Sequence, residues 1–199
     1  MQTEEDKKIQ GKLESAGKGL PVIEALTLRY IIFPILKTLV PWDMGMKLFE
    51  HEGRRILNDV KMLDDNTLFK KVLIPKTLGI EDNSRYYSPA MVLWHLIYVG
   101  EAIQEGIIGL SKNESLDFVV KIENFKPFVE ISPNIVSQYE MFLREYRRTI
   151  EKNTKDKYIR NYHAHPWVGS LNPHQWLILS AIHQLIHRRQ LRKIINIKT

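Results

Sequence analysis

Apolar positions recur at helical spacing over most of the chain, and alternating strand-like runs are few. From Asp43 to about Leu63, the residues Phe49, Ile56, Val60 and Leu63 share one face, with Asp43 as a candidate N-cap. Asp64-Asp65-Asn66 ends that helix, and a loop through Pro75, Gly79 and Asn83 follows. Ser88-Pro89 then joins a capping hydroxyl to a proline at the first helical position, predicting a second core helix to about Leu110. A connector with a strand-like run at 118–122 leads to Ser132-Pro133, the same signal again. The helix after it carries Ile135, Tyr139, Phe142, Leu143, Tyr146 and Ile150 at helical spacing, to about Lys152. After a loop from Asn153 to Asn172, Pro173 opens a last helix to about Ile195. The pattern predicts an all-α chain with four long helices, arranged as a four-helix bundle.

Two N-terminal stretches lie outside that pattern. Residues 1–18 are polar and charged and read as a flexible tail, leaving 19–199 as a single helical-bundle domain. Pro21 to Val40 is the most apolar stretch, yet it holds Glu24, Arg29 and Lys37 and is interrupted by Pro34. A membrane span needs about 20 largely uncharged residues, so this segment reads as a buried helix, kinked or ended near Pro34. No transmembrane segment is expected. Glu4, Glu5 and Asp6 stand where a signal peptide would be basic, which points to a cytoplasmic protein.

Composition narrows the chemistry. The 199 residues contain no cysteine, so a disulfide framework, a thiolate metal site and a cysteine nucleophile are excluded. Any metal must sit on histidine, carboxylate and water. The formal net charge is +6, but the basic residues are scattered except for Arg188, Arg189, Arg192 and Lys193. Cations in the last turns of a helix offset its dipole, so that cluster does not call for nucleic acid.

The chemistry-bearing residues are histidines. His183 and His187 lie one turn apart on the last helix and can reach one point. At about 100° per residue they flank the line through Trp176 and Ile194, with Leu179 and Leu191 to either side. Unpaired imidazoles in the middle of an apolar face are costly to bury. Hydrogen-bonded core histidines would satisfy that constraint as well as a metal would, because a lone H-x-x-x-H is a weak motif. His95, inside the apolar run Met91 to Tyr98, is the candidate third ligand. Ala102 and Gly106 further along its helix would admit another helix or a ligand. His51 and His174 read as surface residues. His163 and His165 fall in the loop before the last helix, where His165 orients the site, touches substrate or packs the loop, and the pair are also rival candidates for metal ligands. Tyr98 could offer its hydroxyl to the site, although packing explains it more simply.

Two blocks of the sequence resemble a known family. The run His165-Pro-Trp-Val-Gly-Ser-Leu171, then Trp176, then His183-Gln-Leu-Ile-His187-Arg-Arg-Gln190, is similar to the ending of DinB-like proteins. Ser88-Pro-Ala-Met-Val-Leu-Trp-His95 resembles the helix that supplies the first histidine in that superfamily. The resemblance spans roughly 43–195, is specific in these two blocks, and leaves Pro21 to Val40 as an extra N-terminal helical segment. It implies a four-helix bundle, often a homodimer, with one divalent metal ion on His95, His183 and His187. Zinc, nickel, manganese and iron all suit imidazole. Characterised members transfer low-molecular-weight thiols such as bacillithiol, mycothiol or glutathione, and one is a mycothiol-dependent isomerase; many have no assigned reaction. Related sulfoxide synthases carry a glutamate two places after the second histidine, where this chain has Arg189.

The resemblance therefore implies an enzyme that transfers a low-molecular-weight thiol, as cosubstrate, to a small electrophilic molecule. Tyr98, His165 and Trp176 are the candidates for substrate or supporting contacts. The alternatives are a hydrolase using a metal-bound water and a non-catalytic, metal-stabilised dimeric module. Glu101 and Glu105 lie roughly 120° and 80° around the helix from His95, so neither is well placed as the base of a hydrolase.

Overall fold

The computed structural model describes residues 4–117, 119–127 and 130–196. In chain order its helices are α1 (Glu4–Gln10), α2 (Val22–Thr27), α3 (Phe33–Leu39), α4 (Trp42–Lys61), α5 (Asp65–Phe69), α6 (Pro89–Ser111), α7 (Ile135–Asn153) and α8 (Pro173–Asn196). Two small antiparallel ribbons accompany them: β1 (Val72–Leu73) with β2 (Tyr86–Tyr87), and β3 (His163–His165) with β4 (Gly169–Leu171).

The long helices α4, α6, α7 and α8 form a four-helix bundle, as the hydrophobic spacing predicts. Neighbours in the bundle are α4 with α8, α8 with α6, α6 with α7, and α7 with α4. The consecutive helices α7 and α8 therefore sit diagonally, and α8 lies beside α6. That arrangement brings the His95 helix against the His183 helix.

Local chemistry sets the helix starts. Ser88 Oγ accepts the Met91 N–H at 3.2 Å, and Pro89 occupies the first turn of α6. Asn172 and Gln175 cap α8 reciprocally: Asn172 Oδ1 accepts the Gln175 N–H at 3.0 Å, and Gln175 Oε1 accepts the Asn172 N–H at 3.2 Å. Asp43 is not a cap; α4 starts at Trp42 with Asp43 in its first turn. The strand-like run at 118–122 falls partly outside the described residues, and 119–121 form no strand.

The core is aromatic in its middle layer. Phe49 of α4 stacks on Tyr146 of α7 at 3.9 Å between centroids, and Phe142 meets Phe49 edge-on at 6.0 Å. Buried polar side chains in this layer are paired. Tyr139 donates to Gln184 at 2.7 Å, Tyr146 and Ser180 share a 2.8 Å hydrogen bond, and Arg188 of α8 pairs with Glu52 of α4. Arg188 thus leaves the basic cluster read at the end of α8, because it serves the interior.

The N-terminal stretches differ from their expected roles. Residues 4–18 are held against the domain: Tyr86 donates to Asp6 at 2.8 Å, and the Glu14 N–H donates to Asp82 at 3.1 Å. The Pro21–Val40 segment does not end at Pro34. It passes through a π-helical turn (Leu28–Ile32) into α3, where Pro34 lies in the first turn and its missing N–H costs little. Nor is the segment buried as a whole. Phe33 is buried, but Val22, Ile23, Leu26, Tyr30, Ile31, Ile35 and Leu39 face outward. Among the described residues, no helix is long and apolar enough to cross a membrane.

Candidate metal centre

Three imidazoles meet at the α6–α8 contact. His95, His183 and His187 each offer a ring nitrogen, and these atoms lie within 4.8 Å of one another. Two metal–nitrogen bonds of about 2.0–2.1 Å each span at most about 4.2 Å, so the widest pair would draw in slightly around an ion. His95 Nε2 and His183 Nε2 are 3.1 Å apart, and the ring centroids of the three residues are 4.4–5.0 Å apart.

The outer nitrogens of two rings are already committed. His95 Nδ1 donates to the Phe125 carbonyl at 2.7 Å. His187 Nδ1 donates to Gln190 Oε1 at 2.6 Å, while Gln190 Nε2 donates to the Ser84 carbonyl at 2.7 Å and so fixes which way the amide faces. A carbonyl oxygen only accepts, so both rings carry their proton on Nδ1 and turn the Nε2 lone pair inward. An outer acceptor that sets tautomer and orientation is the usual support of a metal-bound histidine.

Burial keeps all three rings neutral. Desolvation pushes His95 down to about 4, opposed by the Phe125 carbonyl and reinforced by the nearby Lys126 charge. His183 and His187 are driven well below the ordinary range by burial first and by neighbouring imidazoles second. Neutral imidazole is the form that binds metal. Donor chemistry, spacing and protonation state all fit a divalent ion here.

Above the histidines lies an apolar cavity of about 130 Å³, walled by α6, α8, the 116–126 connector, the β3–β4 ribbon, and Leu28 and Phe33 of the N-terminal segment. Trp176 and His165 both line it, with their rings 5.6 Å apart and nearly perpendicular. His165 Nδ1 accepts the Trp167 N–H at 3.2 Å, and burial pushes this histidine down to about 4. His163 also lines the cavity, beside Trp176. Tyr98 does not line it: the residue is 46% exposed, and its ring stacks on Trp94 at 4.8 Å in an outer groove with Glu101 and Glu105. His51 is exposed as expected. His174 is not a surface residue; it is 7% exposed, and its Nε2 donates to the Val40 carbonyl at 2.8 Å.

Sequence reasoning missed the support of the centre. The Phe125 carbonyl carries no side-chain signal. Gln190 did have one, since it lies one turn after His187 on the same helix. A buried cluster also escaped notice: Lys126 Nζ pairs with Glu81 and donates to Ser84 Oγ at 2.6 Å, and Glu81 Oε1 accepts the Gly19 N–H at 2.8 Å.

No protein-family model matches the chain, and no curated protein matches it. One solved structure, described as that of a four-helix bundle protein, is 18% identical, with 76% of this chain and 97% of that chain covered at a TM-score of 0.48.

The Gln190 contact yields a test of the centre. Gln190→Leu leaves the His187 N–H without an acceptor and frees the ring to turn. We expect zinc affinity to fall about 10–100-fold, measured by competition with a chromophoric chelator. Wild-type affinity in this variant would show that the amide does not orient a ligand.

Proposed function

We propose that this protein is a DinB-like metalloenzyme. His95, His183 and His187 hold one divalent ion, zinc, nickel, manganese or iron, and the enzyme joins a low-molecular-weight thiol to a small electrophile. The observation that carries the reading is the convergence of three neutral imidazoles, two with the outer nitrogen locked, at one end of a substrate-sized cavity. Three histidines leave coordination positions open, which is a catalytic layout. A bound divalent ion supplies positive charge that lowers the pKa of an incoming thiol.

The chain's own residues hold, orient and exclude water. His95 and His187 are aimed by Phe125 and Gln190. Leu179, Val99 and Ala102 keep the reacting space dry. Trp176 and His165 form the wall that faces the substrate. In the transfer itself, the thiol sulfur forms a bond to carbon, the leaving group departs with its electron pair, and the thiol proton passes to solvent. No protein nucleophile is needed, in keeping with the absence of cysteine.

The carboxylates weigh against a hydrolase. Glu101 and Glu105 lie in the outer groove. Glu81 is the carboxylate among the described cavity residues, and it is spent on Lys126 and the Gly19 N–H. A thiol activated by metal charge does not require a base so placed, whereas a bound water attacking an ester profits from one.

We also propose a homodimer, built on the outward face of residues 22–39. Ile23 is 81% exposed, Val22 74% and Leu39 67%. Soluble monomers rarely leave such long apolar strips open. α8 is covered by α4 and α6 of its own chain, which leaves the 22–39 face as the apolar surface for the contact.

Two experiments follow. In the first, metal-loaded enzyme is screened with bacillithiol, mycothiol and glutathione against 1-chloro-2,4-dinitrobenzene and alkyl halides. We expect metal-dependent loss of thiol with at least one pair, abolished in His183→Ala. Metal-dependent ester cleavage without thiol would replace this reading with the hydrolase. In the second, light scattering should give a mass twice the 23.4 kDa of one chain, falling to that of one chain when Leu26→Asp and Ile35→Asp are combined. A wild-type monomer at micromolar concentration would refute the dimer.

A further inference from the structure

The cavity has a direction. It begins at the three histidines and follows Val99, Ala102 and Gly106 along α6, and Leu179 and Trp176 back along α8. Trp176 precedes His183 by two turns, about 10 Å of helix, so the slot leads away from the imidazoles toward the start of α8.

Its polar wall groups are turned to one another. Lys126 is neutralised by Glu81 and also hydrogen-bonded to Ser84, and His95 and His187 spend their outer nitrogens on Phe125 and Gln190. Beyond the histidines, a ligand entering the slot meets mainly hydrocarbon and aromatic surface, and the charged side chains among the described lining residues, Lys126 and Glu81, are paired with each other. Burying an unpaired charge there would be prohibitive. The volume sets the size: 130 Å³ is close to the roughly 150 Å³ apolar cavity that stays dry and accepts benzene in another protein. The Trp176 indole N–H has no acceptor among the described residues and remains available for one neutral acceptor on the ligand.

We propose that the slot is the binding site for the electrophile's body, and that this body is compact, uncharged and apolar, of the size of a benzene ring. The inference rests on the reading of the site given above. It assigns the slot to the electrophile and leaves the polar part of the thiol cosubstrate outside. Leu179, Ala102 and Gly106 then set substrate size. Gly106 is the most direct control, because it lines the slot and a Cβ added there makes an ordinary contact with Leu116 Cδ1 at 3.7 Å.

Toluene and benzoate, nearly equal in size and different in charge, test this by calorimetric titration of full-length protein treated with chelator. We expect saturable toluene binding, at least tenfold tighter than benzoate, and at least a tenfold loss in Gly106→Leu while zinc uptake is retained. His95→Ala should lose zinc and still bind toluene, which separates failure of the metal reading from failure of this one. Absence of saturable toluene binding, or benzoate binding as tightly as toluene, overturns the proposal. So does wild-type toluene affinity in a Gly106→Leu protein with a native helical spectrum. Should Gly106→Leu not fold, the toluene and benzoate contrast in wild type decides.

Discussion

Three imidazoles converge among apolar side chains between α6 and α8, His187 buried and His95 and His183 half-buried, and the rest of the architecture answers that constraint. A neutral imidazole out of water still has a donor and an acceptor to satisfy. For His95 the donor is met by the Phe125 carbonyl, from the connector folded against the bundle, and for His187 by the Gln190 amide one turn further along α8. The inward nitrogens face one another, with His95 Nε2 and His183 Nε2 3.1 Å apart. The three rings lie close enough together to share one ion.

The supporting segments are also the segments that shape the cavity. Phe125 and Lys126 adjoin in the connector, so the carbonyl that orients His95 is tied to the buried Lys126–Glu81 pair. Ser84 joins both halves: its hydroxyl accepts from Lys126 and its carbonyl from Gln190. The Gly19 N–H closes the cluster from the N-terminal side. A buried ion pair is weak evidence of stability, since desolvation offsets its attraction. Here it is better understood as fixing the connector and the 81–85 turn in register, so that two histidines face inward.

How much of this was legible in the sequence depends on where the information resides. The long helices were legible because a bundle helix repeats its apolar face, and Ser88-Pro89 marked the start of α6 with two independent signals. His183 and His187 were legible as a pair because helical spacing fixes their relation, and His95 because it interrupts an apolar run. Segments whose conformation is set by long-range contacts were not. The β3 and β4 strands are three residues each, too short to show alternation. His174 looked exposed because its partner is the carbonyl of Val40, far away in sequence. The N-terminal segment looked buried because apolar composition says nothing about which face meets the domain.

Metal content bears most directly on the central claim. Protein purified without a histidine tag would be analysed for zinc, nickel, manganese and iron, alongside His95→Ala, His183→Ala and His187→Ala. The account predicts about one equivalent of a divalent ion per chain in wild type, lost in every variant while the helical spectrum survives. Wild-type protein that takes up none of these metals, even after incubation with each, would contradict it and leave the histidines as core residues of a helical bundle.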